Sequence, residues 1–156
     1  MNSFQLKTLI IEPTLKIIKL YTLSGVNILL GTAAVESDLG EYIEQVPNGQ
    51  AKSIYQIGMK THDDTVNQIK IKCPSLYSKI NDLKIKCLTD EENLIGNLYY
   101  ATAIARLVYF LIKKRLPPHN DILALANYWK KYYNTEAGKG RVEDFVGKYA
   151  SLVKIL

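Results

Sequence analysis

The stretch GVNILLGTAAVES (residues 25–37) decides the fold. It is apolar on most sides, so it reads as a central helix buried all round, and it carries a single carboxylate, Glu36, at its end. Ser24 offers a cap in front of it. Upstream, an apolar segment runs from Phe4 to Ile11. Pro13 then suits a helix start, and Leu15, Ile18 and Tyr21 or Thr22 fall on one face of the segment that follows.

Downstream, residues 39–57 change character. A Pro47-Asn48-Gly49 turn separates EYIEQV from QAKSIYQI, which predicts an irregular lobe or a small hairpin. Thr61 followed by Asp64 predicts a helix start and a short helix to about Ile71, and Pro74 opens another. Thr89 with Glu92 is a capping box. Behind it Leu94, Leu98, Ala101, Ala105, Val108 and Ile112 alternate steps of four and three, the stripe of one long buried helix. Lys113 to Arg115 suit its negative end, and Pro117-Pro118 stop it. A helix from about Asp121 to Tyr133, a glycine-bearing loop from Asn134 to Gly140, and a last helix with Val142, Phe145, Tyr149, Leu152 and Leu156 on one face complete the chain. There is no internal repeat, low-complexity tract or linker. The pattern predicts a mainly α protein with at most a small β-hairpin lobe, in one compact domain over residues 1–156.

Composition agrees with an ordinary globular domain. The 156 residues are 47% hydrophobic and 22% charged, which is enough for one core without a disulfide or metal staple. The 11 tyrosines read as an amphipathic shell around it, and the net charge of +5 suits an anionic partner without choosing one. No Arg-rich, aromatic-interleaved stripe of the nucleic-acid type is present, so no specific nucleic acid is expected. Cys73 and Cys87 have no Cys or His at zinc-ligand spacing and read as buried thiols, with no metal and no cofactor expected. The N-terminus lacks the signal-peptide arrangement, and Glu12, Lys16 and Lys19 interrupt any membrane span. His62 reads as part of a helix cap and His119 as a loop residue, with no nucleophile elbow for a triad. Trp129, beside Leu125 and Tyr133 at helical spacing, reads as core.

Three segments taken in order, GTAAVESDLG, AKSIYQI and YYNTEAGKG, resemble the lytic transglycosylase and goose-type lysozyme group of the lysozyme-like superfamily. In that group a Glu-Ser pair ends a buried helix, a Gly-Leu-Met-Gln-like segment follows, and an Ala-Tyr-Asn-Ala-Gly-like segment lies far downstream. With THDD (61–64) and YWKKYYNT (128–135), the pattern is most similar to small phage-encoded members and spans nearly the whole chain. It departs from the group at Ser53, Ile54 and Tyr55, at Tyr132, and at Thr135-Glu136, which intervene before Ala137-Gly138. The departures bear on the shape of a sugar groove.

The resemblance implies a lysozyme-like fold and cleavage of the β-1,4 bond between N-acetylmuramic acid and N-acetylglucosamine in peptidoglycan glycan strands. It implies Glu36 as the catalytic acid, Ser37 and Gln56 near the sugar, Tyr133 orienting Glu36, and Asn134 holding its loop. A virion, or the host cytoplasm before delivery to the wall, is the implied location, with other virion proteins as further partners. From pattern alone Glu36 reads either as a surface residue at a helix end or as a desolvated acid, and the resemblance favours the acid. Ser37 reads equally as a helix-end serine, Gln56 as an edge glutamine, and Tyr133 and Asn134 as turn residues. A hydrolase would need a second carboxylate, for which Asp38, Glu41, Glu44, Asp63 and Asp64 are candidates. A transglycosylase needs only one: the same Glu acts as acid and then as base toward the sugar's 6-hydroxyl. Two other readings compete, a lysozyme-like structural protein of a virion without turnover, and a basic DNA-binding module supported only by net charge.

Overall fold

Thr22 starts the central helix, its hydroxyl accepting from the Gly25 N–H at 2.9 Å, so Ser24 lies inside the helix rather than capping it. This is α3, Leu23–Ser37, whose Val26, Ile28, Leu29, Leu30, Ala33 and Ala34 are all buried, as expected for a helix apolar all round. A computed structural model describes residues 1–44 and 49–153. It is mainly helical with one two-stranded antiparallel sheet, built around a single core.

Before α3, α1 (Ser3–Gln5), a π-helical turn (Leu6–Ile11) and α2 (Glu12–Ile17) follow one another without a break. Pro13 therefore sits inside a continuous helical run and not at the start of a separate helix. The Glu12 N–H donates to the Lys7 carbonyl, five residues back. That wider register accommodates a ring that has no N–H and would crowd an α-helical carbonyl.

The sheet pairs β1 (Ala51–Lys52) with β2 (Ile57–Gly58), Ala51 opposite Gly58. Its turn is Ser53 to Gln56, both with positive φ (70° and 48°), while Glu44 bridges Lys52 from the other side. A hairpin therefore exists, six residues downstream of the turn expected from Pro47 and Asn48, which lie outside the described residues. The reason is burial. Ile54 and Tyr55 at the turn go into the core, and the Tyr55 hydroxyl meets Thr102 Oγ1 at 3.0 Å. Lys52 ties the hairpin to Glu44 and, at 3.1 Å, to Glu91.

Helix α4 (Met59–Lys72) starts with Gly58 as its N-cap, without a side-chain cap from Thr61. His62, expected in a cap, is instead buried in α4. Its Nδ1 lies 2.8 Å from Asp63 Oδ1 and its Nε2 2.7 Å from the Tyr100 hydroxyl, both within hydrogen-bond distance. Helix α5 (Pro74–Asp82) opens at Pro74 as read. The two thiols are free, Cys73 half-buried and Cys87 exposed, which corrects the expectation that both are buried.

The long stripe behind the Thr89–Glu92 capping box is two helices, α6 (Asp90–Gly96) and α7 (Leu98–Phe110). Asn97 breaks it at φ −109° and ψ 96°, its Oδ1 accepting from the Tyr100 N–H and its Nδ2 donating to the Leu83 carbonyl. Periodicity carries across this break because only one residue leaves helical geometry. Asn93, fully buried, donates to the carbonyls of Ile85, Leu88 and Thr89 and accepts from the Ile85 N–H. Asn93→Ala is expected to cost about 2 kcal/mol, because it takes the side-chain partner from part-buried backbone groups of Ile85, Leu88 and Thr89. A urea midpoint unchanged from the parent would contradict that role.

Helix α8 (Ile122–Trp129), a second π turn (Lys130–Asn134) and α9 (Val142–Leu152) close the fold. α9 crosses α3 at contact distance, since a Cβ placed on Gly31 would lie 2.0 Å from Phe145 Cζ. The tyrosines divide between shell and core: Tyr21 and Tyr42 are exposed and Tyr77, Tyr99, Tyr132 and Tyr133 half-buried, as a shell would have them, while the other five enter the core. Tyr55, Tyr100, Tyr109, Tyr128 and Tyr149 are buried, and Tyr109 Oη lies 2.7 Å from Thr32 Oγ1 on α3. Among the described residues no helix is long and apolar enough to cross a membrane.

Candidate active site

Glu36 occupies the last turn of α3. The three residues after the helix ends at Ser37, namely Asp38, Leu39 and Gly40, all have positive φ, so the chain turns away sharply from the helix end. Ser37 secures this turn: its Oγ donates to the Ile54 carbonyl at 2.6 Å and accepts from the Gly40 N–H at 2.9 Å. It is buried and acts as a joint between α3 and the hairpin.

The Glu36 side chain lies in an open groove of about 890 Å³, walled by Trp129, by Asn134 and the 137–140 loop, and by Glu143, Gly147 and Lys148 of α9. Trp129 is core, as its spacing predicts, and it is also Glu36's partner, with Nε1–H donating to Oε1 at 3.0 Å. Burial pushes the Glu36 carboxyl up to about 7, and the indole N–H, which favours the ionised form, opposes this only in part. A carboxyl of this kind is poised near neutrality, able to give a proton and take one back.

Tyr133 comes near Glu36 without bonding to it. Its hydroxyl donates to the Tyr55 carbonyl at 2.7 Å, and its ring stacks on Tyr109 at 5.0 Å. Burial first, then the charges of Tyr109 and Glu36, push its pKa well up, so it stays a neutral donor. Its role here is to link the π turn to the hairpin. Gln56 belongs to the hairpin turn, Nε2 donating to the Ser53 carbonyl at 2.9 Å, and it does not line the groove. Asn134 does line it.

The loop after Asn134 is tied down by a lysine that sequence reasoning passed over. Lys130 Nζ donates to Asn134 Oδ1 at 2.7 Å and to the carbonyls of Thr135 and Gly138, each at 2.9 Å. Gly140 then lies flat on the indole, where a Cβ would come within 2.6 Å of Trp129 Cη2. Lys130→Met is expected to free this loop at a local cost of about 2 kcal/mol, read as roughly thirtyfold faster amide exchange over 135–140. Exchange at the parent rate would show the loop held by other contacts.

The carboxylates proposed as second groups are engaged elsewhere. Asp38 pairs with Lys148, Glu44 with Lys52, Asp63 with His62 and Asp64 with Lys60, and neither they nor Glu41 line the groove. The groove's other carboxylates are Glu143 and Asp144. Asp144 is taken by Arg141, which leaves Glu143 exposed on α9. Sequence distance hid Glu143, whereas Trp129 had a usable signal, since a buried indole N–H needs an acceptor and Glu36 sits at the end of the buried helix. Comparison of the chain with protein-family models, with curated proteins and with solved structures finds no significant match.

Proposed function

We propose that this protein is a peptidoglycan-cleaving enzyme of lysozyme-like type, acting as a lytic transglycosylase on the bond between N-acetylmuramic acid and N-acetylglucosamine. The observation that carries the reading is Glu36, a carboxyl held near pKa 7 at the end of a buried helix and facing an open groove. The order of the Glu36-Ser37, Gln56 and Tyr133-Asn134 segments supports the same family. Glu36 gives its proton to the glycosidic oxygen as the bond to the muramic C1 breaks. The resulting carboxylate then takes the proton of that sugar's 6-hydroxyl as its oxygen attacks C1, so the acid is regenerated and the product is a 1,6-anhydro sugar. Trp129 holds the carboxyl in place throughout, and its N–H eases the interval in which Glu36 is charged.

A basic surface suits the anionic wall, and delivery in a virion is the setting proposed for it. Mass analysis of purified wall after digestion tests the reaction. Anhydro-muropeptides are expected. A reducing end would instead make the enzyme a hydrolase, with Glu143 as the carboxylate to examine. The alternative, a virion component of the same fold without turnover, draws on the Tyr133 hydroxyl being bonded to Tyr55 and not to Glu36. Release of no muropeptide at any pH between 5 and 8 would favour it.

A further inference from the structure

At the other end of α3, about 21 Å from Glu36 along the helix at 1.5 Å per residue, a second cleft of about 390 Å³ is lined by Thr22, Ser24, Arg106, Lys113, Lys114 and Arg115, among others. Arg106 is 7% exposed, and its Nε is buried without a hydrogen-bond partner. None of the described carboxylates pairs with it, and none lines the cleft. A Cβ on Gly25 would lie 3.1 Å from that Nε and 3.0 Å from Thr22 Oγ1, so the guanidinium lies against the first turn of α3. The three flanking cations, Lys113, Lys114 and Arg115, are exposed.

This arrangement is costly as it stands. The buried Nε–H of Arg106 loses its hydration with no acceptor in return, and the positive end of a 15-residue helix beside the guanidinium adds to the cost. An anion in the cleft reverses both signs. It would accept from the Arg106 fork, lie on the helix N-terminus beside the Thr22 and Ser24 hydroxyls, and meet the flanking cations. We propose that the Arg106 cleft binds a phosphoryl group. Four cations around one small cleft exceed what a carboxylate needs and suit a tetrahedral oxyanion carrying up to two charges, which the planar guanidinium can grip with two N–H groups at once. The site is separate from the Glu36 groove and does not depend on wall cleavage. Its ligand has two sources, a soluble phosphate monoester or an anionic lipid headgroup.

Thermal melting of the full chain with sodium phosphate, against sodium chloride at equal ionic strength and against acetate, tests it. Phosphate is expected to raise Tm saturably, with chloride and acetate giving no such rise, and Arg106→Met is expected to abolish the response. Should Arg106→Met not fold, the triple variant Lys113→Ser, Lys114→Ser, Arg115→Ser keeps the test open, with phosphate affinity expected to fall at least about tenfold, since it loses three of the four cations. Phosphatidylglycerol vesicles separate the sources: binding that free phosphate displaces assigns the headgroup, and a response to phosphate with no vesicle binding assigns the soluble monoester. A phosphate shift matched by chloride or acetate would overturn the proposal. So would a shift retained in Arg106→Met, or an undiminished affinity in the triple variant.

Discussion

Glu36→Gln is expected to lower wall cleavage by about three orders of magnitude while making the folded protein more stable above neutral pH, the first effect being typical of a lost general acid. The second follows from the same carboxyl. Its pKa is raised from 4.5 to about 7 in the folded state, chiefly by burial, so at pH 4 and below both states are protonated and nothing is lost. Between 4.5 and 7 the unfolded chain releases the proton that the folded chain keeps, and stability falls as pH rises. Above 7 the folded chain bears the full penalty of about 3 kcal/mol. Glutamine keeps an oxygen for the Trp129 N–H and never ionises, so the variant gains about that amount over the parent at pH 8 and little at pH 4. Urea unfolding at the two pH values measures it. Equal stability gains at both would show that Glu36 is not desolvated. Unchanged wall clearance would remove it as the acid, and parent activity itself should decline as pH rises through 7.

Gly31→Ala is expected to destabilise the fold by at least about 3 kcal/mol, an unusual outcome for a Gly to Ala change inside a helix, which on propensity alone gains about 1 kcal/mol. The added methyl would meet three ring atoms of Phe145, at 2.0, 2.6 and 2.7 Å. That ring cannot yield. It is fully buried, tilted against Trp129 at 5.6 Å and stacked along Tyr149 at 6.3 Å. Strain at the α3–α9 crossing therefore passes to Trp129 and on to Glu36, and the single tryptophan reports it by a shift in fluorescence. Adding Phe145→Leu should return part of the loss. A Gly31→Ala midpoint equal to the parent's would mean that the two helices cross further apart.

The sequence made α3 legible because an all-round apolar run with one terminal carboxylate has few places to go in a small helical domain. It also showed the Thr89–Glu92 box and the start of α5 at Pro74, where local chemistry is sufficient. It failed where a local rule met a tertiary demand. Pro13 is a good helix starter but is absorbed by a π turn, and the stripe from Leu94 to Ile112 hid the Asn97 break because one side chain replaced the missing helical bonds. At the groove, Glu36 and Asn134 could be placed from their segments. Trp129 carried a signal in the acceptor that a buried indole N–H needs, and the Lys130 tie is local, reaching only Asn134, Thr135 and Gly138, but it depends on a π turn that spacing does not announce. Glu143 could not be placed, since it depends on how α3 and α9 meet, and pairwise spacing along one chain holds no record of that.

The π turn from Lys130 to Asn134 holds one more residue than an α-helical turn of the same height would. Removing that one residue while keeping Asn134 would let α8 continue in ordinary α register over the same height, leaving Trp129 before the turn and the groove loop behind it nearly where they are. The groove wall and the core would both be kept. The extra residue is thus an addition the scaffold carries without changing the course of the chain on either side, so this turn can differ by one residue in length while the cleft beside it stays open.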